Sequence, residues 1–123
     1  MKTMDELTAG VPAGPAVDPA DVAASLTRAL VVLDDDPTGT QSVADLPVIT
    51  GWSVDDLAWA LSTGAGAVYV MTNSRSLDPA DAERVNVEVV TNALAAAERV
   101  GRRVAFVSRS DSTLRGHFPV EPA

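Results

Sequence analysis

Apolar residues in this chain fall into two kinds of run. Short, unbroken runs occur at Ala29-Leu30-Val31-Val32-Leu33, Pro47-Val48-Ile49-Thr50, Ala67-Val68-Tyr69-Val70-Met71 and Val104-Ala105-Phe106-Val107. The first ends abruptly in Asp34-Asp35-Asp36, the pattern of a strand buried on both faces and closed by turn chemistry. The other runs recur at helical spacing. One follows Ser53, a predicted N-cap, through Asp55, Asp56, Leu57, Trp59 and Leu61 to a stop at Gly64. The clearest opens at Asp78-Pro79, with Asp as N-cap and Pro at the first helical position. Its apolar positions are Ala82, Val85 and Val89, then Val90, Leu94 and Ala97. Gly101 ends it, with Arg99, Arg102 and Arg103 placed against the C-terminal dipole. Residues 1–20 show no period. Residues 1–27 are expected to be a flexible extension, with a short helix around Asp18 to Arg28.

Strands alternating with helices predict an α/β fold over residues 28–123. The expected architecture is an open, mainly parallel sheet of about four strands with flanking helices, an incomplete Rossmann-like domain. Two firm helices cover both faces of such a sheet poorly. The chain is therefore expected to be the first part of a longer protein, and its uncovered apolar surface leaves homo-oligomer formation open.

A parallel sheet sets the carboxyl ends of all its strands on one edge, where ligands bind. Three polar clusters follow strands here: DDDPTGT (34–40), TNSRS (72–76) and SRSDSTLRGH (108–117). Together they predict one site for a small anionic ligand. Three adjacent carboxylates repel one another unless a cation, a donor-rich substrate or solvent separates them. Such a loop suits metal coordination or proton removal from a hydroxyl, and a solvated turn is the bland alternative. Pro37 biases Asp36 toward extended backbone, and Gly39 permits a tight turn or close approach. Arg75 at a strand end is either a bidentate anion clamp or a surface ion pair. Asn73 and Ser74 are explained equally well as turn residues. The third cluster packs two Arg, one Asp and one His among small hydroxyl donors, with Leu114 its only large apolar residue. A loop so dense in donors is costly to order unless something binds it. Trp52, Trp59 and the Met residues are assigned to packing.

Composition narrows the partners. At 123 residues there is room for one domain at most, and the formal net charge of −8 argues against nucleic acid or an anionic membrane surface. Cysteine is absent, no apolar stretch approaches the roughly twenty residues of a membrane span, and the N-terminus has no signal-peptide pattern. A cytoplasmic protein is expected.

At LDDDPTGTQSV, LPVIT, VMTNSRSL and above all SRSDSTLRGHFPVE, the sequence resembles the four-carbon acid sugar kinase family, over roughly residues 29–121. That family phosphorylates threonate, erythronate and 3-oxo-tetronate with ATP, using an N-terminal sugar-acid domain and a C-terminal nucleotide domain. The resemblance implies that Asp35, Thr38, Gly39, Asn73, Arg75, Ser110, Ser112, Arg115, Gly116 and His117 bind substrate. Asp36 and Asp111 are the catalytic candidates for the attacking hydroxyl, and Arg75 and Arg115 the candidates for the substrate carboxylate. No metal ligand is assigned. ATP and Mg²⁺ are implied as cofactors of the nucleotide domain, whose glycine-rich segments have no counterpart in these residues. Two alternatives remain. Asp34 and Asp36 also fit the Asp-x-Asp-x-Thr pattern of haloacid-dehalogenase-like Mg²⁺-dependent phosphatases, although Lys2 is the only lysine. The other alternative is a non-catalytic sugar-acid-binding fragment.

Overall fold

The computed structural model describes residues 2–12, 14–111, 113 and 115–123. The core begins where the apolar runs begin. β1 (Ala29–Asp34) is central, and the sheet order is β2-β3-β1-β4, with β2 at Val48–Ile49, β3 at Ala67–Met71 and β4 at Val104–Arg109. Every pairing is parallel. The open α/β sheet expected from the sequence is present, and it is parallel throughout.

Two short helices precede it. α1 (Met4–Thr8) starts at a capping box, in which Thr3 and Glu6 satisfy each other's amides; nothing in its apolar pattern foretold it. α2 (Pro19–Ser25) begins where expected, with the Asp18 carboxylate accepting from Ala20 N at 2.8 Å. Neither helix buries a residue.

α3 (Val54–Ser62) follows a Ser53–Asp56 capping box. α4 (Pro79–Val100) runs from the Asp78 cap to Gly101, whose φ of 67° suits a residue without Cβ. The two helices lie against each other and against one face of the sheet, contributed by Ala29, Val31, Leu33, Ile49, Val68 and Val70. Right-handed crossovers from β2 to β3 and from β3 to β4 put both helices on the same side. Their seam is lined by small residues, Ala58, Ala60, Ala93, Ala96 and Ala97, so the helices approach closely. Leu57, Leu61 and Val89 are fully buried there, each worth about 1.5–3 kcal/mol of apolar transfer.

The stripe on α4 differs from the predicted one. Leu94 is exposed and Asn86 is buried. Asn86 is tolerated because its amide donates to Ala82 O at 2.9 Å and reaches Glu121 at 3.3 Å. Trp59 is 63% exposed and lines a cleft at the edge strand β2 with Val48, Ile49 and Thr50. Trp52 does pack on the core, and its carbonyl accepts from Asn92. Among the described residues, no helix is long and apolar enough to cross a membrane.

Candidate functional site

The parallel register brings the three polar clusters level. Asp34 pairs with Met71 on one side and with Arg109 on the other, so all three chains leave the sheet at one height. β4 is two residues longer than its apolar run suggested. Ser108 and Arg109 are therefore strand residues, and the third loop starts at Ser110.

The three adjacent aspartates part company at once. Asp34 has no exposed surface, and one of its oxygens accepts from Arg109 Nη1 at 3.1 Å. Its other oxygen, Oδ2, is buried without a hydrogen-bond partner among the described residues. Gly39 sits directly over this pair. A Cβ there would lie 2.0 Å from Asp34 Oδ2 and 2.1 Å from Arg109 Nη1, so the turn closes at this place only with glycine. The Asp34 carbonyl accepts from the Thr72 amide and hydroxyl at 2.9 and 3.0 Å, joining the first loop to the second.

Asp35 is 1% exposed and carries the main junction. Arg75 donates Nε to Asp35 Oδ2 at 3.1 Å and Nη2 to Oδ1 at 2.9 Å, a bidentate pair. The amide of Asp111 donates to the same Oδ2 at 3.0 Å. One carboxylate therefore ties together loops from three different strands. Leaving a buried charge without its partner costs about 3–5 kcal/mol.

Asp36 faces outward. Its Oδ1 accepts from the Thr38 amide at 2.8 Å and the Thr38 hydroxyl at 2.5 Å, and its Oδ2 from Arg75 Nη1 at 2.8 Å. The Thr38 hydrogen bonds hold the Asp36 carboxyl below the ordinary carboxylate range; the Arg75 and Arg115 charges add to this, and desolvation opposes it. Asp111 repeats the device. Its Oδ1 accepts from the Thr113 amide and hydroxyl and its Oδ2 from Arg115 Nε at 3.3 Å, and its carboxyl is likewise lowered, first by Thr113 and then by Arg115 and Arg75. Arg75 is shifted upward, chiefly by its hydrogen bond to Asp35.

The remaining candidates stand apart from this cluster in their contacts. Asn73 is left-handed at φ 51°, and its amide donates to Ser76 Oγ at 3.2 Å, which serves its own turn. Ser110 shares a hydrogen bond with Ser108 at 2.9 Å. His117 Nε2 lies 3.1 Å from the Ser74 carbonyl, which can only accept, so the proton sits on Nε2. Gly116 is needed for the third loop to fold back, since a Cβ would come within 1.6 Å of the Asp111 carbonyl oxygen. Ser112 lies outside the described residues.

Some contributors were not anticipated. Arg109 looked like one more loop cation, but as the register partner of Asp34 it braces the base of the site. Buried Ser74 bonds Glu121, which also reaches Asn86 and so holds the tail against the second loop. The Asp-x-Thr spacing of Asp111 and Thr113, identical to that of Asp36 and Thr38, was the readable signal for the second turn.

Among the described residues no three His, Cys, Asp or Glu side chains gather to hold an ion. The phosphatase alternative requires an accessible nucleophile at Asp34, whose carboxylate is sealed beneath Gly39. The rim instead offers two ionised carboxylates as acceptors and a guanidinium as donor, a combination suited to a small hydroxylated anion.

No curated protein and no solved structure gives a significant match to this chain. A family model does, over residues 30–123, which include all four strands but for Ala29 and all three loops. It describes a sugar-binding N-terminal domain, and the resemblance read from the three motifs to the N-terminal part of four-carbon acid sugar kinases agrees with it. The fold, the convergent loops and this match together make the chain a member of the sugar-binding N-terminal domain family.

Proposed function

We propose that residues 28–123 form the first part of the substrate-binding domain of a kinase that phosphorylates a four-carbon sugar acid of the threonate, erythronate or 3-oxo-tetronate type. The observation that carries this reading is the Asp35 junction, which joins the loops after β1, β3 and β4 through Arg75 and the Asp111 amide. Three loops tied at one buried carboxylate form a preorganised rim, and sugar binding is the property of the family.

The rim divides the work by charge. Asp36 and Asp111 stay ionised at neutral pH and accept hydrogen bonds from ligand hydroxyls. Carboxyls held that low are weak bases but good orienters, and orientation of the attacking hydroxyl is the main demand of phosphoryl transfer. The acid group is met by arginine. ATP and Mg²⁺, which the family resemblance implies, are assigned to a separate nucleotide-binding domain, and the residues here bind and orient the acceptor.

Calorimetry with threonate, erythronate and 3-oxo-tetronate tests the binding step. One of these acids should bind at one site per chain. A chain that keeps its far-UV dichroism and binds none of the three overturns the reading. Phosphoryl transfer is tested with a protein that carries both domains, by ³¹P NMR of the sugar-acid product formed from ATP.

A further inference from the structure

The sheet is left unclosed at β2. The Pro47 carbonyl accepts from Tyr69 N at 2.9 Å, and the register sets Ile49 toward β3 as well. Alternation along the strand therefore turns the N–H and carbonyl of Val48 outward, with no strand beyond them among the described residues. Beside this edge stands Trp59 of α3, 63% exposed. Trp59, Thr50, Gly51 and Asp56 frame a cleft of about 250 Å³ along Val48 and Ile49. Pockets for whole ligands run to about 300–1,000 Å³, so this cleft is sized for a single side chain of a partner.

The chemistry of this edge is anionic. From Ala29 to Ser74 the chain carries no Lys, Arg or His, while Asp45, Asp55 and Asp56 flank β2 in sequence. Asp55 is paired with Arg99; Asp45 and Asp56 make no ion pair among the described residues. Asp56 Oδ2 accepts from the Ser53 amide and hydroxyl at 3.3 and 2.6 Å, which leaves Oδ1 for an incoming donor. An exposed indole beside a carboxylate attracts a guanidinium, which stacks on the ring face and donates to the oxygen. A second copy of this chain would set the same acids against themselves, so the charge selects a basic partner.

We infer that the β2 edge docks an extended basic segment of another protein, which adds a strand to the sheet and lays an arginine over Trp59. Ile49 points into the core beneath the helices, so Val48 points to the opposite face of the sheet. Successive residues of an added strand face the same two sides. Those on the helix side meet Trp59 and Asp56 and are cationic. Those between them lie beside the exposed Val48 side chain and are apolar. The edge thus reads an alternation of arginine with a β-branched residue, and it shares no residue with the rim.

The test is an NMR titration of the full ¹⁵N-labelled chain in about 0.15 M salt, so that loose attraction to a net charge of −8 is screened. The probes are short blocked peptides: one alternates arginine and valine, and the other carries citrulline, the neutral isostere, in place of arginine. The arginine peptide should give saturable shifts at Val48, Thr50 and the Trp59 indole N–H, and should slow exchange of the Val48 amide. Replacing it by the citrulline peptide, or the protein by Trp59→Ala, should each weaken binding at least about fivefold. Trp59→Phe should recover part of the loss. Trp59→Ala should keep the wild-type thermal midpoint, because the side chain is mostly exposed. Equal affinity for the two peptides overturns the inference, as does binding to Trp59→Ala within twofold of wild type. Unchanged Val48 exchange in the saturated complex overturns the added strand. Shifts at β2 that grow with protein concentration alone identify a second copy as the occupant and overturn the basic partner. The absence of any saturable shift overturns it too.

Discussion

After β1, Asp36 folds its carboxylate onto the amide and hydroxyl of Thr38; after β4, Asp111 does the same with Thr113. The two turns share a local design, and what lies behind them differs. Behind Asp36 stand two buried carboxylates, Asp34 held by Arg109 and Asp35 held by Arg75, with Gly39 closing the turn over them. Behind Asp111, among the described residues, there is a single link, its amide to Asp35. The same Asp-x-Thr device is therefore part of the scaffold in one place and mounted on it in the other. The β1 turn carries the β4 turn, and Arg115, whose one contact among the described residues is to Asp111, belongs to the carried part.

The largest expected effect comes from cutting the link between the turns. Asp35→Asn keeps the shape but leaves Arg75 without its bidentate partner, and should destabilise the chain by about 3 kcal/mol in urea melts. It should also shift the amide resonances of Asp111 and Thr113, although these are remote in sequence. A β4 turn unmoved in that variant would show the turns to be independent.

Glycine replacements come next. Gly39→Ala drives a Cβ into the pair between buried Asp34 and half-exposed Arg109 and should cost about 1–3 kcal/mol, as overpacking does. Gly116→Ala meets backbone in an exposed turn, so it should shift Arg115 and Asp111 resonances with a smaller change in the urea midpoint. Equal destabilisation by both would erase the distinction between scaffold and mounted part.

Subtler still is the titration of the two turns. Thr38→Val and Thr113→Val remove the hydroxyl donors, so ¹³C-detected titration should find the Asp36 and Asp111 midpoints, respectively, moved up toward 3.8. Both carboxyls are lowered in the folded state. Their contribution to stability is therefore complete above 3.8 and lost as the pH falls through the lower folded midpoints. Each substitution should narrow that acid-sensitive window by lowering stability above it, at pH 7 included, while stability below the folded midpoints stays unchanged. The smallest effect is expected at Trp59, which is mostly exposed. Trp59→Ala should stay within about 0.5 kcal/mol of wild type by thermal melting.

Much of this architecture can be read from the chain because the signals are local. The unbroken runs at 29–33, 67–71 and 104–107 and the caps at Ser53, Asp78 and Gly101 mark elements whose ends the structure keeps to within a residue or two. The convergence of the three clusters follows from parallel topology, a rule about sheets that needs no side-chain detail. Pairing is less readable. Nothing in TNSRS says that Arg75 turns inward to Asp35, because that choice depends on a buried carboxylate 40 residues away in sequence. Arg109 was hidden for the same reason: its role exists only once the register sets it opposite Asp34. The burial of Asn86 was equally unreadable, because its partner Glu121 lies 35 residues further along the chain.

The position of β4 has a kinetic consequence. It joins β1 in the register Ala29 with Val104 through Asp34 with Arg109, so roughly 75 residues of chain must close before these two strands gain a ladder bond with each other. Closing so long a loop is entropically expensive, and non-local parallel pairing is slow to form. The Asp35 junction and the Asp34–Arg109 pair cannot assemble before that closure, so binding competence should arrive as one late, cooperative event. In refolding followed by pulsed hydrogen exchange, the α4 amides should gain protection first. Those of β4 and Asp111 should follow together.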